Sequence, residues 1–349
     1  MFSLDKAKRA RLICKRASRK IRGLSMQITA FLGVAHIHTP NFITTLQKRD
    51  DVRCKYVFDH DADRAQKSAG LLNAQVANLD TILNDDEVSS VVICSETRHH
   101  LELATRAAKA GKAMFVEKPL AISREDSDAI EAAVKQAGVL FQTGFFSRGN
   151  ASNRFIKQEI EAGHLGTITR MRYTNCHQGA LAGWFDTQWR WIADKNEAGG
   201  GGFADLGAHA LDIILWCLVP TCGEVVKTCA TLGNATHRYG DIDEWGAGLI
   251  TFESGAVAII EAGWVDPKYS APVEVHGTEG QILVHSGKVL YYSEHVEGAD
   301  GGEWTALPEG APHAFQEFWN ELEGQGASLV TVEEAARGSR VMADLYASA

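Results

Sequence analysis

Three short stretches of the chain carry side chains able to do chemistry together. The first is Glu117-Lys118-Pro119, which closes the run Gly111-Lys-Ala-Met-Phe-Val. An apolar run entering Glu-Lys-Pro presents the lysine at the carboxyl end of a strand, where open parallel sheets hold their ligands. Pro119 fixes the chain beyond Lys118 and biases Lys118 itself toward an extended backbone. An ammonium held there can stabilise an oxygen as it gains alkoxide character. The second stretch is Gly199-Gly-Gly-Gly-Phe-Ala-Asp205-Leu-Gly-Ala-His209-Ala-Leu-Asp212. Spacings of four and three place Asp205, His209 and Asp212 on one stripe of a helix. An imidazole one turn from a carboxylate is a tunable acid or base. The glycines ahead of it let main chain pass close to a ligand.

The third stretch, Ile28-Thr-Ala-Phe-Leu-Gly33-Val-Ala-His36-Ile-His38-Thr-Pro-Asn41, has two readings. Gly33 stands where the phosphate-binding turn of a dinucleotide fold begins, but Ala35 and His38 occupy the second and third glycine positions of G-x-G-x-x-G. Context supports the turn, with a strand before, a helix after, and a second strand ending in Phe58-Asp59. A carboxylate there receives the adenosine ribose hydroxyls. Asp59 followed by His60, with no arginine beside it, favours NAD over NADP. Alternatively, His36 and His38 are two ligands of a metal ion. Thr39-Pro40 and the following helix offer no third ligand nearby, and His99-His100 has no metal spacing either, so no metal is expected.

These residues need a frame. From Met26 to about Gly144, strands are predicted at Gln27–Leu32, Val52–Phe58, Val88–Cys94, Ala113–Val116 and Val139–Gln142. Helices are predicted between them at Asn41–Arg49, Asp61–Leu72, His99–Ala110 and Ser123–Ala137. Such alternation implies right-handed crossovers and a doubly wound parallel sheet, a Rossmann arrangement. Beyond residue 150 a helix near Asn153–Glu161 leads into strands at Thr167–Cys176, Val225–Leu232, Gly246–Phe252, Ala256–Val265, Val273–His276, Gln281–His285 and Val289–Tyr292. Glu253-Ser-Gly255, Thr278-Glu-Gly280 and Ser286-Gly-Lys288 are turns joining them into a large, open, mainly antiparallel sheet. Helices are expected at Phe203–Leu218 and Val332–Ala347. The domains so defined are 26–145, dinucleotide-binding, and 146–349, α+β, with the last helix free to pack back on the first domain.

Length and composition agree with two domains: 349 residues, 45% hydrophobic and 23% charged. The apolar run Leu211–Val219 falls far short of the roughly 20 residues of a membrane span. Seven scattered cysteines without a Cys-x-x-Cys suggest neither a disulfide framework nor a zinc ribbon and fit a cytoplasmic protein. Residues 1–25 hold nine Lys or Arg and one Asp, so the rest of the chain carries −17 against −9 overall. The basic segment is expected to be a disordered extension, and the acidic body excludes nucleic acid as a partner.

With these pieces assembled, the chain resembles the Gfo/Idh/MocA oxidoreductase family, and its inositol and sugar dehydrogenases in particular, across nearly everything after Met26. Gly-Lys-x-x-x-x-Glu-Lys-Pro at 111–119 and Gly-Gly-Gly-x-x-x-Asp-x-Gly-x-His-x-x-Asp at 199–212 carry the resemblance. So do Thr97 to His100, Gly144-Phe145 with Arg148, and Trp189-Arg190. The resemblance implies a nicotinamide cofactor held by Gly33, Ala35, His36, Ile37, His38, Asp59, Ser95, Thr97, His100, Glu117 and Lys118. It also implies a catalytic set of Lys118, Asp205 and His209. Arg148, His177, Trp184, Trp189 and Arg190 are candidates for substrate binding beside that set. The departure is the opening turn, where two glycines are missing.

The function expected is reversible oxidation of a secondary hydroxyl on a cyclic polyol or sugar, with His209 taking the hydroxyl proton, Lys118 bonding the same oxygen, and Asp205 holding a neighbouring hydroxyl or orienting the imidazole. Two alternatives stand beside it: a glycosidase that oxidises its substrate transiently and recycles NAD, and an idle NAD-binding protein. An open sheet with an apolar outer face implies a homo-oligomer, a dimer or tetramer.

Overall fold

The computed structural model describes residues 26–349; the basic segment 1–25 lies outside the described residues. Six parallel strands form the first sheet in the order β3-β2-β1-β4-β5-β6, with β1 Gln27–Leu32, β2 Val52–Phe58, β3 Gln75–Val76, β4 Ser90–Ile93, β5 Ala113–Val116 and β6 Phe141–Thr143. Order reverses at β1, so the crevice between the carboxyl ends of β1 and β4 is the topological switch point where such sheets bind ligands.

Both faces of this sheet are apolar because its strands are nearly continuous runs of Val, Ile, Phe and Ala. Ala30, Leu32, Val91, Ile93, Met114 and Val116 point to one buried face, and Phe31, Val57, Val92 and Phe115 to the other. Each face is completed by a helix from the far end of the chain. The helix Val332–Ala347 brings Val332, Ala335 and Ala336 to the first face. The helix Ala314–Leu322 brings Phe315, Phe318 and Trp319 to the second. Sequence patterning missed this second helix. It is nine residues long, and its apolar stripe acquires a partner only when Phe42 and Phe115 arrive from elsewhere.

The second sheet has eight strands in the order β14-β13-β12-β11-β7-β10-β9-β8. They are β7 Ile168–Cys176, β8 Val225–Gly233, β9 Trp245–Phe252, β10 Val257–Gly263, β11 Val273–Gly277, β12 Gly280–His285, β13 Lys288–Ser293 and β14 Asp300–Glu303. All neighbours are antiparallel except β7 and β10, which pair in parallel at the centre. Its inner face, including Ile250, Ile260 and Val275, packs on Leu211, Ile214 and Leu218 of the helix Gly202–Cys222. The helical stretch Lys195–Cys222 is long and apolar enough to cross a membrane, yet 72% of its most apolar window is buried inside the protein. It is a core helix, and it carries Asp205 and His209 to the carboxyl ends of the parallel strands.

Candidate active site

The turn after β1 fits a dinucleotide in part of its geometry. Gly33 has φ +84°, and a Cβ there would stand 2.3 Å from the Ser95 Cβ, so glycine is required on both counts. Between Gly33 and Thr39, and counting acceptors among the described residues, only the N–H groups of Ala35 and Ile37 donate to none. Two free amides on a turn entering the helix Thr39–Gln47 are what a diphosphate uses. Asp59, 8% exposed, closes the far side. Its Oδ2 accepts the Val34 N–H at 2.7 Å, and its Oδ1 accepts Asp61 N–H and Arg64. Oδ2 keeps a lone pair for a ribose hydroxyl, so these residues fit the cofactor. The absence of an arginine next to Asp59 in sequence does not hold in space, because Arg64 lies against it at 2.8 Å.

The metal reading gains its missing third residue from the fold. One ring nitrogen each of His36 and His38 and an oxygen of Glu117 lie within 4.8 Å of one another, so the trio could hold a metal ion. In the structure the three side chains also contact one another directly. The His38 N–H donates to His36 Nδ1 at 3.2 Å, which leaves the proton of neutral His36 on Nε2, facing Glu117 at 3.9 Å. His38 Nδ1 lies 3.1 Å from Glu117 Oε1, and the Lys118 N–H donates to Oε2 at 2.9 Å. Burial pushes His36 down to about 3, against the opposing pull of Glu117. Burial alone would raise Glu117, but the donors and charges around it hold it well below the usual carboxylate range.

Beside this trio stands the centre of the site. Lys118, 3% exposed, donates from Nζ to Asp205 Oδ1 at 2.6 Å, across the boundary between the two sheets. The second oxygen of Asp205 accepts the indole N–H of Trp264 at 3.0 Å. Burial works to raise Asp205, but Lys118 and Trp264 together bring it far below the carboxylate range. His209, one turn along the same helix, is 5% exposed, and its Nδ1 is buried without a partner among the described residues. Burial first, then the charge of Lys118, hold its pKa well below the usual histidine value. Among the described residues Asp205 makes no hydrogen bond to the imidazole; its oxygens accept Lys118 and Trp264. The ring of His209 instead rests against Phe146 at 4.7 Å, and Phe146 stacks on His313 at 5.4 Å.

In the glycine run ahead of Asp205, Gly200 lines the cleft with Lys118 and Asp205, while Gly201 and Gly202 have a packing task. A Cβ on Gly201 would stand 1.9 Å from the Asp243 carbonyl oxygen, and one on Gly202 would stand 2.2 Å from that of Glu244. Here main chain meets main chain of the segment leading into β9, fixing the start of the helix.

Other predicted residues divide. Thr97 lines the cleft with His36, Lys118 and Asp205. Ser95 backs the turn at Gly33. His100 is buried with Nδ1 on the Pro119 carbonyl, so it steadies the segment after Lys118. His177 sits close enough to Asp205 and Lys118 to feel both charges, beside Trp184 at 4.6 Å. Arg148 is not free for substrate. It grips Asp212 through Nε and Nη2 at 2.9 and 2.6 Å, and Glu334 at 3.1 Å. Arg190 bonds the Ala193 carbonyl and covers the Tyr239 ring at 4.9 Å, while Trp189 packs on the core of the second sheet. In their place Trp191 reaches the cleft, its Nε1 donating to the Ala35 carbonyl at 3.1 Å and its ring 5.9 Å from His36. Trp191, Trp264, Phe146 and His313 were missed because each arrives through tertiary packing, with no local motif to mark it. A cavity of about 540 Å³ lies between Pro119–Glu125, the Ala204, Ala208 and Leu211 side of the long helix, and the last helix. Its walls include none of Lys118, Asp205 or His209, so its size does not relocate the chemistry.

A parallel sheet with a nucleotide turn, joined to an open sheet whose helix adds a carboxylate and an imidazole to a strand-end lysine, defines a two-domain nicotinamide oxidoreductase. Comparison with known proteins agrees. Residues 29–145 match the oxidoreductase family with an NAD-binding Rossmann fold, and residues 153–283 match the GFO/IDH/MocA C-terminal domain. The chain belongs to the Gfo/Idh/MocA family of oxidoreductases. Among its relatives are the scyllo-inositol 2-dehydrogenase (NAD(+)) of Bacillus subtilis strain 168, 29% identical over 84% of this chain and 83% of that one, and the myo-inositol 2-dehydrogenase of Thermotoga maritima, 27% identical over 72% of each chain. Among solved structures, levoglucosan dehydrogenase in complex with NADH and levoglucosan shares the fold with a TM-score of 0.77 at 20% identity, covering 93% of this chain and 97% of that one.

Proposed function

We propose that this chain oxidises a secondary hydroxyl of a cyclic polyol or sugar, reversibly, with NAD as cofactor in preference to NADP. The observation that carries this reading is the contact of buried Lys118 Nζ with Asp205 Oδ1, beside an imidazole that burial keeps neutral. The amides of Ala35 and Ile37 and the carboxylate of Asp59 would hold the dinucleotide. When bound, the nicotinamide supplies the electron-pair acceptor that makes alcohol oxidation possible.

The protein's own residues handle the proton. Neutral His209 accepts the proton of the substrate hydroxyl as general base. Lys118 directs its remaining N–H groups at the same oxygen, stabilising negative charge in a site closed to water. Asp205, pinned by Trp264, fixes where that ammonium points. His177 and Trp184 form a wall that hydroxyls and an apolar ring face can meet. A site built to bond hydroxyls strongly rejects analogues that lack them.

The protein acts as a homo-oligomer in this reading. Trp245 and Leu249, on the outer face of β9, are 39% and 48% exposed, and Val257 and Ile259 of β10 continue the apolar strip. Mass analysis of nucleotide released from the purified protein, followed by a polyol and sugar panel with added NAD, tests the whole reading. NADH accumulating with an inositol or a sugar supports it. Release of free sugar from glycosides without NADH accumulation would replace it with transient oxidation and cofactor recycling.

A further inference from the structure

We propose that Glu96 sets the choice of dinucleotide by locking Arg64 onto Asp59, so that the pocket takes the free ribose of NAD and turns away the 2′-phosphate of NADP. This rests on the reading that Asp59 receives the adenosine ribose.

Arg64 stands in the first turn of the helix Ala62–Leu72, five residues past Asp59. An arginine so placed is the usual partner of a 2′-phosphate. Here its guanidinium is already engaged. Nε and Nη2 donate to Asp59 Oδ1 at 3.1 and 2.8 Å, and Nη2 also donates to Glu96 Oε1 at 2.6 Å. Glu96 reaches over from the loop after β4 and is 8% exposed, with its second oxygen buried and unpartnered. The other guanidinium at this corner, that of Arg98, is held by Glu197 at 2.8 Å. Asp59, Glu96 and Glu197 thus outnumber Arg64 and Arg98 by one negative charge. A phosphate dianion entering here meets one excess negative charge and an Arg64 guanidinium already paired with two carboxylates through Nε and Nη2. A ribose hydroxyl meets Asp59 Oδ2, which has one protein donor, the Val34 N–H. Without Glu96, Arg64 has donors to turn toward a phosphate.

The test is calorimetric titration of full-length wild type, Glu96→Gln, Arg64→Gln and the double variant with NAD and with NADP. Thermal midpoints check folding, and Glu96→Ala repeats the comparison if Glu96→Gln folds poorly. Wild type should prefer NAD. Glu96→Gln should raise the NADP-to-NAD affinity ratio roughly ten- to a hundredfold, the equivalent of one charge-assisted hydrogen bond. In the Arg64→Gln background the same change should give no gain. A ratio within about twofold of wild type in Glu96→Gln overturns the proposal. So does an equal gain with and without Arg64, or a wild type that prefers NADP. Those results leave the oxidoreductase reading standing, a wild type that prefers NADP removing only its preference for NAD, whereas a wild type that binds neither dinucleotide removes both.

Discussion

Lys118 Nζ and Asp205 Oδ1 meet at 2.6 Å although 87 residues separate them and each belongs to a different sheet assembly. This contact joins the strand end that would face a nicotinamide to the helix that supplies the base. Removing one partner leaves the other charged in a low-dielectric setting. Asp205→Asn should therefore lower both turnover and stability, the latter by about 3 kcal/mol as for a broken buried pair. Thermal unfolding and kcat measured on the same sample check this. Loss of activity with unchanged stability would mean the pair is not buried as described.

His209 should be neutral through the physiological range. Its pKa is held below the ordinary histidine value by burial and by Lys118. The basic, unprotonated form then persists as pH falls, so the acid limb of kcat/KM should lie below pH 6.5. A limb at or above 6.5 would assign the proton acceptor elsewhere.

Histidines that are buried neutral also fix the direction of the stability profile. His36, His100 and His209 all have folded-state values below the unfolded one of 6.5, with His36 near 3. The unfolded chain binds more protons in that window, so this contribution is complete above pH 6.5 and is lost as pH falls toward 3. Thermal midpoints should drop steadily across that interval at constant salt.

Arg148 was expected to meet substrate, and the structure gives it to Asp212 and Glu334. Arg148→Ala should cost about 3–5 kcal/mol of stability by stranding the buried Asp212 carboxylate. KM for the substrate should stay near its original value. Replacing Arg148 by Met and Asp212 by Leu together should restore most of the loss. A large rise in KM without destabilisation would return Arg148 to the substrate site.

How much of this was legible in the sequence depends on the range of the interaction. The parallel sheet was, because strands buried on both faces must be continuous runs such as Val88–Cys94. Lys118, Asp205 and His209 were singled out from spacing, since a strand end and a helix stripe are local geometry. Which atoms they touch was not legible. The indole of Trp264 reaches Asp205 across 59 residues, and Glu117 meets His38 across 79. Arg148 and Arg190 drew attention as cations near the domain junction. Sequence patterning says nothing of direction: Arg148 turns inward to Asp212 and Glu334, and Arg190 stays exposed over the Tyr239 ring.

The outer face of the second sheet predicts association. Leu249→Lys and Trp245→Lys place charge on exposed positions, so the monomer fold should survive while the sedimentation mass falls toward one chain. A wild-type mass of one chain would contradict the expected assembly.

The account turns on His209 acting as base beside Lys118. Its most direct test is single-turnover formation of NADH from a polyol or sugar substrate by wild type and by His209→Gln, with NAD affinity measured on both. The account predicts a fall in rate of about 10²- to 10⁴-fold with NAD binding preserved. An unchanged rate in His209→Gln would contradict it.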